Sequence, residues 1–199
     1  MPNVDATKIH QGPGKLWLNV TAPSAGSRLV IDATGTPTAG TPLFAGATDG
    51  AATLALTPKL EEINADQISG PIDVVMTGEA ASIELTLKES DLAKLKFYIV
   101  HGTYTAGTDT NLPSGSQEFE EISFGGTLAI AKTSVAVISP RRDAASKFVV
   151  SQLYQAYQAD AVQLPFQRGK ETTYKVKFEG LADPSRAVGD QVGKIYRQT

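Results

Sequence analysis

Residues 51–88 read AATLALTPKLEEINADQISGPIDVVMTGEAASIELTLK, and the alternation in this stretch decides the fold class. Thr53, Leu54, Ala55, Leu56 and Thr57 alternate in polarity, which predicts a strand with Leu54 and Leu56 toward a core. Pro58 then opens a polar segment, predicted as a loop from Lys59 to Pro71 that carries Glu61, Glu62, Asp66 and Gln67. Residues 72–77 predict a second strand, residues 78–81 a turn, and residues 82–88 a returning strand with Ile83, Leu85 and Leu87 in phase. The opposite face of that last strand is Ser82, Glu84, Thr86 and Lys88. One apolar and one polar face is the pattern of an antiparallel sheet that is wet on one side.

Upstream, Gly12-Pro13-Gly14 breaks the chain and sets off residues 1–14 as an arm. Residues 15–20, KLWLNV, predict a strand with Leu16, Leu18 and Val20 on one face and Trp17 on the other. Residues 34–50 are rich in Thr, Gly, Pro and Ala and predict a long surface loop. Downstream, Ser90 as N-cap, Asp91 in the first turn, and Leu92, Leu95 and Ile99 at helical spacing predict a helix from Ser90 to Val100. A second loop is expected over 103–116, and strands over 120–124, 127–132, 134–139, 147–157, 161–166 and 172–179. Residues 147–157 also fit a helical period through Val149, Val150, Leu153 and Tyr157. The tail, 181–199, reads as an exchanged arm or an edge strand, and the whole chain as one domain.

Composition bounds the chemistry. The 199 residues carry 18 Lys+Arg and 21 Asp+Glu, a formal charge of −3, with 18 Gly and 11 Pro. That balance suits one sizeable β-rich core and argues against a basic DNA-binding surface. The absence of cysteine excludes disulfides, a zinc–thiolate cluster and a thiol nucleophile. No apolar run is long enough for a membrane helix, and the N-terminal residues lack a secretory pattern, so a cytosolic site of synthesis and no membrane insertion are expected. The charge is segregated: residues 1–140 carry 8 basic and 15 acidic side chains, residues 141–199 carry 10 and 6. Opposite surfaces of this kind can meet head to tail between identical subunits.

Catalytic, cofactor and metal-site candidates are thin. His10 and His101 are the only histidines, and neither has neighbouring ligand residues. Glu118, Glu120 and Glu121 are interleaved with Phe119 and Ile122, as on the wet face and end of a strand. Gly125-Gly126 lacks the Lys-Ser/Thr of a phosphate loop, and Asp109 sits in no calcium-loop pattern. Arg141-Arg142 beside Asp143 reads as a turn or intersubunit contact. No enzyme, metal or cofactor is expected.

GPGKLWL at 12–18, FAGATDGAATLAL at 44–56, EEINADQISGPID at 61–73 and TGEAASIELTLKESDLAKL at 77–95 follow one another in an order that resembles the tail tube (major tail) proteins of long-tailed, non-contractile bacteriophages. The resemblance implies a β-sandwich or half-barrel with one flanking helix and long loops. It implies six copies closing a ring through a shared inner sheet, and rings stacking into a hollow tube for genome passage. It places the ring-stacking loop at Lys59, Glu61, Glu62, Asp66 and Gln67, and the helix outside the sheet. It further implies terminal arms that reach neighbouring subunits, a tape-measure protein and tail-end proteins as partners, and a place in the virion tail after assembly in the host cytoplasm.

Geometry allows such a tube. Six subunits lending about four strands each, at ~4.8 Å spacing and ~40° tilt, give a wall about 150 Å around and a bore near ~38 Å, wide enough for a duplex. Thr53, Thr57, Ser82, Glu84 and Thr86 are the candidate lumen-facing residues, small polar and acidic side chains that would repel phosphates. The alternatives are a ligand-binding β-sandwich, an enzyme with an unrecognised carboxylate site, and the tube of a phage-derived secretion or injection system.

Overall fold

The structure, a computed structural model, describes residues 12–64, 68–88, 91–112, 115–126, 128–144, 146–165, 168 and 171–199. Among these the chain is mainly β: ten strands and one short helix. The strands are β1 (Lys15–Val20), β2 (Gly40–Phe44), β3 (Thr48–Asn64), β4 (Pro71–Leu87), β5 (Gly102–Leu112), β6 (Gly115–Phe124), β7 (Thr133–Pro140), β8 (Phe148–Gln158), β9 (Tyr174–Leu181) and β10 (Gly193–Arg197). The helix α1 (Leu92–Leu95) lies between β4 and β5.

Eight strands form one antiparallel sheet in the order β2-β1-β7-β8-β9-β4-β3, with β10 also on β8. β8 is the fold line. One edge pairs with β7; along the other, Gln155–Gln158 pair with β9 while Val149–Leu153 pair with β10. The sheet therefore splits at β8 into two layers, a β-sandwich-like arrangement. Leu16 and Leu18 of β1, Val135 of β7 and Leu153 of β8 meet Ile83, Leu85 and Leu87 of β4 and Val176 and Phe178 of β9 in the main core. The alternation at 82–88 thus places its apolar set in the core, as expected, and 147–157 forms a strand. A smaller cluster of Trp17, Val20, Leu29, Ile138, Phe148 and Val150 fills the other face of β1, β7 and β8.

Val20 belongs with Trp17, contrary to the simple alternation. Asn19 adopts a positive φ of 52° and the register shifts between Leu18 and Val20, which turns Val20 to the opposite face. The Asn19 amide holds this bend by donating to Thr41 Oγ1 at 2.7 Å.

Several predicted loops are strands. Residues 34–50 contain β2 and the start of β3, and the described residues of 103–116 belong to β5 and β6, which form a separate two-stranded sheet. Of the predicted 59–71 loop, residues 59–64 belong to β3 and Pro71 begins β4, at the outer end of the β3–β4 pairing. Pro58 sits opposite Glu79 on β3, and β3 ends the sheet order; on an edge strand a missing N–H breaks no ladder when it faces outward.

The helix predicted from Ser90 to Val100 is shorter. Ser90 lies outside the described residues; Asp91 is the N-cap, its carboxylate accepting from the Ala93 N–H at 3.0 Å. After Leu95 the chain continues in tight turns, because Phe97-Tyr98-Ile99-Val100 is a poor helix sequence and Tyr98 must reach the core. Its ring sits 5.7 Å from Tyr174 and 5.9 Å from Phe178. Residues 128–132 and 161–165 are irregular where strands are predicted. At the latter, Gln158 ends the β8 ladder by accepting from the Lys177 N–H and donating to the Asp160 carbonyl.

Candidate assembly surface

The β3–β4 hairpin pairs from Thr48↔Leu87 outward to Asn64↔Pro71. Its inner half is rooted in the core by Ile83, Leu85 and Leu87. Beyond Leu56↔Ala81 the two strands leave the body, and eight residues from Thr57 to Asn64 reach about 26 Å. Every residue of β3 in this outer half is exposed. Leu56 and Leu60 are each 61% accessible and Met76 57%; Ile63, Ile72, Val74 and Val75 are also exposed. Pairing puts Leu60 opposite Met76 and Glu62 opposite Val74, with Glu61 opposite Val75 and Ile63 opposite Asp73 on the other face. Both faces are therefore apolar in part, a concentration that isolated surface residues do not produce.

Lys59, Glu61 and Glu62 are thus strand residues, not loop residues; Thr77 Oγ1 donates to the Lys59 carbonyl at 3.3 Å. Asp66 and Gln67 lie outside the described residues. Pro58 and the acidic residues Glu61, Glu62 and Asp66 give this segment the look of a polar loop in sequence and mask its apolar content. The available signal was the unbroken Val74-Val75-Met76, which cannot be buried on one face of a two-stranded ribbon.

Thr53, Thr57, Ser82, Glu84 and Thr86 share the outer face of the β3–β4 root, through Thr53↔Glu84, Ala55↔Ser82 and Thr57↔Ala80. β9 extends this face, with Ser82↔Glu179, Glu84↔Lys177 and Thr86↔Lys175. Glu84 pairs with Lys175 at 2.6 Å and Glu179 with Lys177 at 2.9 Å. Tyr157 Oη on β8 donates to Glu179 at 3.1 Å. Hydrogen bonds from Lys177 and then Tyr157 hold the Glu179 carboxyl below its ordinary range, while its partnership with Glu179 raises the Lys177 ammonium. At the rim, Lys88 bridges Glu171 at 3.1 Å and Asp49 at 3.6 Å, and those contacts push its ammonium up. The expected small polar and acidic face is therefore a charge-balanced one, because β9 brings Lys175 and Lys177 beside the carboxylates.

Between the hairpin root and β10 lies an apolar groove of about 280 Å³, lined by Leu54, Leu56, Ala81, Leu153, Val192 and Ile195 among others. Leu54 packs on the core as expected; Leu56 stands in the groove wall. Gly193 lets β10 approach, since a Cβ there would lie 2.3 Å from the Gln152 carbonyl. The C-terminal segment is held to its own subunit, the edge-strand outcome. Arg186 is only 7% accessible, stacked 3.5 Å from the Tyr154 ring centroid and flanked by Asp183 at 3.5 Å and Asp190 at 3.6 Å. It also donates to the Pro23 carbonyl. Burial and the hydrogen bond to Asp190 push the Tyr154 phenol far up, and hydrogen bonds from Ser185 and Tyr154 hold Asp183 and Asp190 respectively below their ordinary range.

Glu118, Glu120 and Glu121 lie exposed on β6, and Arg141 pairs with Asp143 in the turn before β8. His101 follows the α1 turns; His10 lies outside the described residues. Among the described residues, no group of three His, Cys, Asp or Glu could hold a metal ion, and no helix is long and apolar enough to cross a membrane. No protein-family model matches the sequence, and no curated protein is similar to it.

Proposed function

We propose that the chain is a tail tube subunit of a long-tailed, non-contractile bacteriophage, a structural protein of the virion. In this reading six copies close a ring, rings stack through the outer β3–β4 hairpin, and the tube conducts the genome. The observation that carries it is the hairpin itself: an edge strand and apolar side chains on both faces that are exposed among the described residues. β3, β4, β9 and β8 supply the four strands per subunit that a wall of about 24 strands requires. Their outer face, with paired Glu84–Lys175 and Glu179–Lys177, would offer passing DNA little net charge to grip. A tape-measure protein and tail-end proteins complete the assembly, which forms in the host cytoplasm. The tube of a phage-derived injection system fits the same surface.

The apolar groove beside β10 favours one other reading, a small-molecule-binding β-sandwich. Negative-stain microscopy over a concentration series separates the two. Rings and tubes that lengthen with concentration are expected; particles that stay globular and monomeric throughout would sink the tube reading.

A further inference from the structure

The β5–β6 hairpin is a second acidic projection, with far fewer exposed apolar side chains than β3–β4. Residues 102–124 contain Asp109, Glu118, Glu120 and Glu121 and no lysine or arginine. The two strands pair only with each other, and a two-stranded ribbon is marginal without further packing. Its root is tied down, with Ile122 against the main core and Lys96 Nζ 5.0 Å from the Tyr104 ring centroid. Its outer part, from Thr105↔Glu121 to Thr108↔Glu118, is exposed on both faces. Phe119 lies in the middle of it, over Gly107, with the carboxylates around it.

The complementary surface is at the other end of the chain. β10 is an edge, pairing with β8 alone among the described residues. Arg28, Lys194, Arg197, Arg141, Arg142 and Lys147 gather along it. Lys194 Nζ donates to the Ser27 carbonyl, Arg197 and Arg141 both reach Asp143, and Lys147 donates to the Thr199 carbonyl. Asp143 pairs with Arg141 and Arg197, and Asp190 with Lys194, so these carboxylates offset part of the charge along the edge. Lys194 and Arg197 lie on the strand, with Arg28 and Arg142 exposed beside it.

The geometry points to a heterologous contact in which the acidic β5–β6 hairpin of one copy docks on the basic β10 edge of a second copy. The charge segregation seen along the sequence is then an interface split between two surfaces of one chain. A pair of copies leaves one surface of each kind free, so the contact propagates from copy to copy, around a ring or along a filament. Charge steers the encounter and fixes the register, while Phe119 supplies the apolar contact. The inference rests on the proposed self-assembly only in taking a second copy as the occupant, and it is independent of the β3–β4 hairpin.

The test uses the full chain carrying Leu60→Asp and Met76→Asp, which removes the apolar hairpin contact and leaves the acidic one. Sedimentation equilibrium at about 0.05 M and about 0.5 M salt should show association that weakens with salt. Adding Glu118→Lys and Glu121→Lys should weaken it at least ~10-fold at low salt, as should adding Arg28→Glu and Arg142→Glu. Mixing the two reversed chains should restore it. The milder Glu118→Gln with Glu121→Gln should give an intermediate loss with an unchanged circular dichroism spectrum. Association that is indifferent to both reversals, or two folded reversed chains that fail to associate on mixing, would overturn the proposal. So would loss of duplex DNA binding in the Arg28→Glu, Arg142→Glu chain with self-association intact. Failure of wild-type tubes to form, with salt-sensitive association preserved, would count against the tube and not against this contact.

Discussion

The two hairpins that leave the body share a shape and an acidic charge, and differ in the apolar side chains that accompany it. β3–β4 grows out of the core: its inner half carries Ile83, Leu85 and Leu87, and only its outer half is free, with apolar Leu60, Met76 and Val74. β5–β6 is anchored at its root by Ile122 and the Lys96–Tyr104 contact and carries carboxylates along its length. Backbone pairing alone gives both ribbons; side chains decide which force each can use. The β3–β4 ribbon, with Leu60, Met76, Val74 and Val75 among Glu61, Glu62 and Asp73, can gain by excluding water as well as by charge, whereas β5–β6 depends mainly on a charged partner and weakens with screening.

The largest expected effect comes from the apolar ribbon. Leu60→Asp with Met76→Asp should lower assembly at least 100-fold, since leaving two such side chains in water forfeits about 3 kcal/mol or more of contact burial. Circular dichroism and the melting temperature should not change, because both positions are exposed in the single subunit. Tubes of ordinary length in the micrographs would show that the outer hairpin does not carry stacking.

A second effect should fall on stability and not on assembly, and so separates the projections from the body that holds them. Arg186→Ala should lower stability in chemical denaturation, because it removes a buried guanidinium stacked on Tyr154 and leaves Asp183 without its cation, Asp190 keeping Lys194 at 3.4 Å. Acid should act on the same contacts. Both carboxyls titrate below their ordinary value, so their contribution is complete above about pH 4 and is lost as pH falls through the depressed folded-state values. The Arg186→Ala protein should keep most of this acid dependence, because Ser185 and Tyr154 hold the two carboxyls before the guanidinium does; loss of the whole acid dependence would show that the cation dominates.

How much of this was legible in the sequence depends on whether burial wrote a period into it. Where one face meets the core, as at Ile83, Leu85 and Leu87 or Tyr174, Val176 and Phe178, the alternation named both the strand and its buried face. β5 and the outer part of β3 have no buried face, so Thr, Gly, Glu and Lys there read as loop although the backbone pairs in register. Pro58 reinforced that error, since the sequence does not say which strand is an edge. The candidate lumen-facing residues could be grouped because Thr53, Ser82, Glu84 and Thr86 are close in sequence. Their lysine partners could not, because Lys175 and Lys177 arrive from β9 some ninety residues later through pairing that no local pattern records.

That late arrival sets the smallest effect and the sharpest question about the β3–β4 root. If its outer face lines a bore, the pairing of Glu84 with Lys175 and of Glu179 with Lys177 keeps the wall neutral toward phosphate. Glu84→Gln with Glu179→Gln should then barely change the fold, since exposed ion pairs hold little stability. It should leave two uncompensated lysines per subunit, repeated around every ring. Assembled tubes of this variant should retain short duplex DNA at low salt and release it as salt rises, while wild-type tubes retain little. The same substitutions in the assembly-deficient Leu60→Asp, Met76→Asp chain should bind DNA far more weakly, because only a closed ring multiplies the two charges into a continuous basic surface. Equal DNA retention by tube and subunit would place this face on the outside of the assembly, and the four-strand wall would then have to present its other surface to the bore.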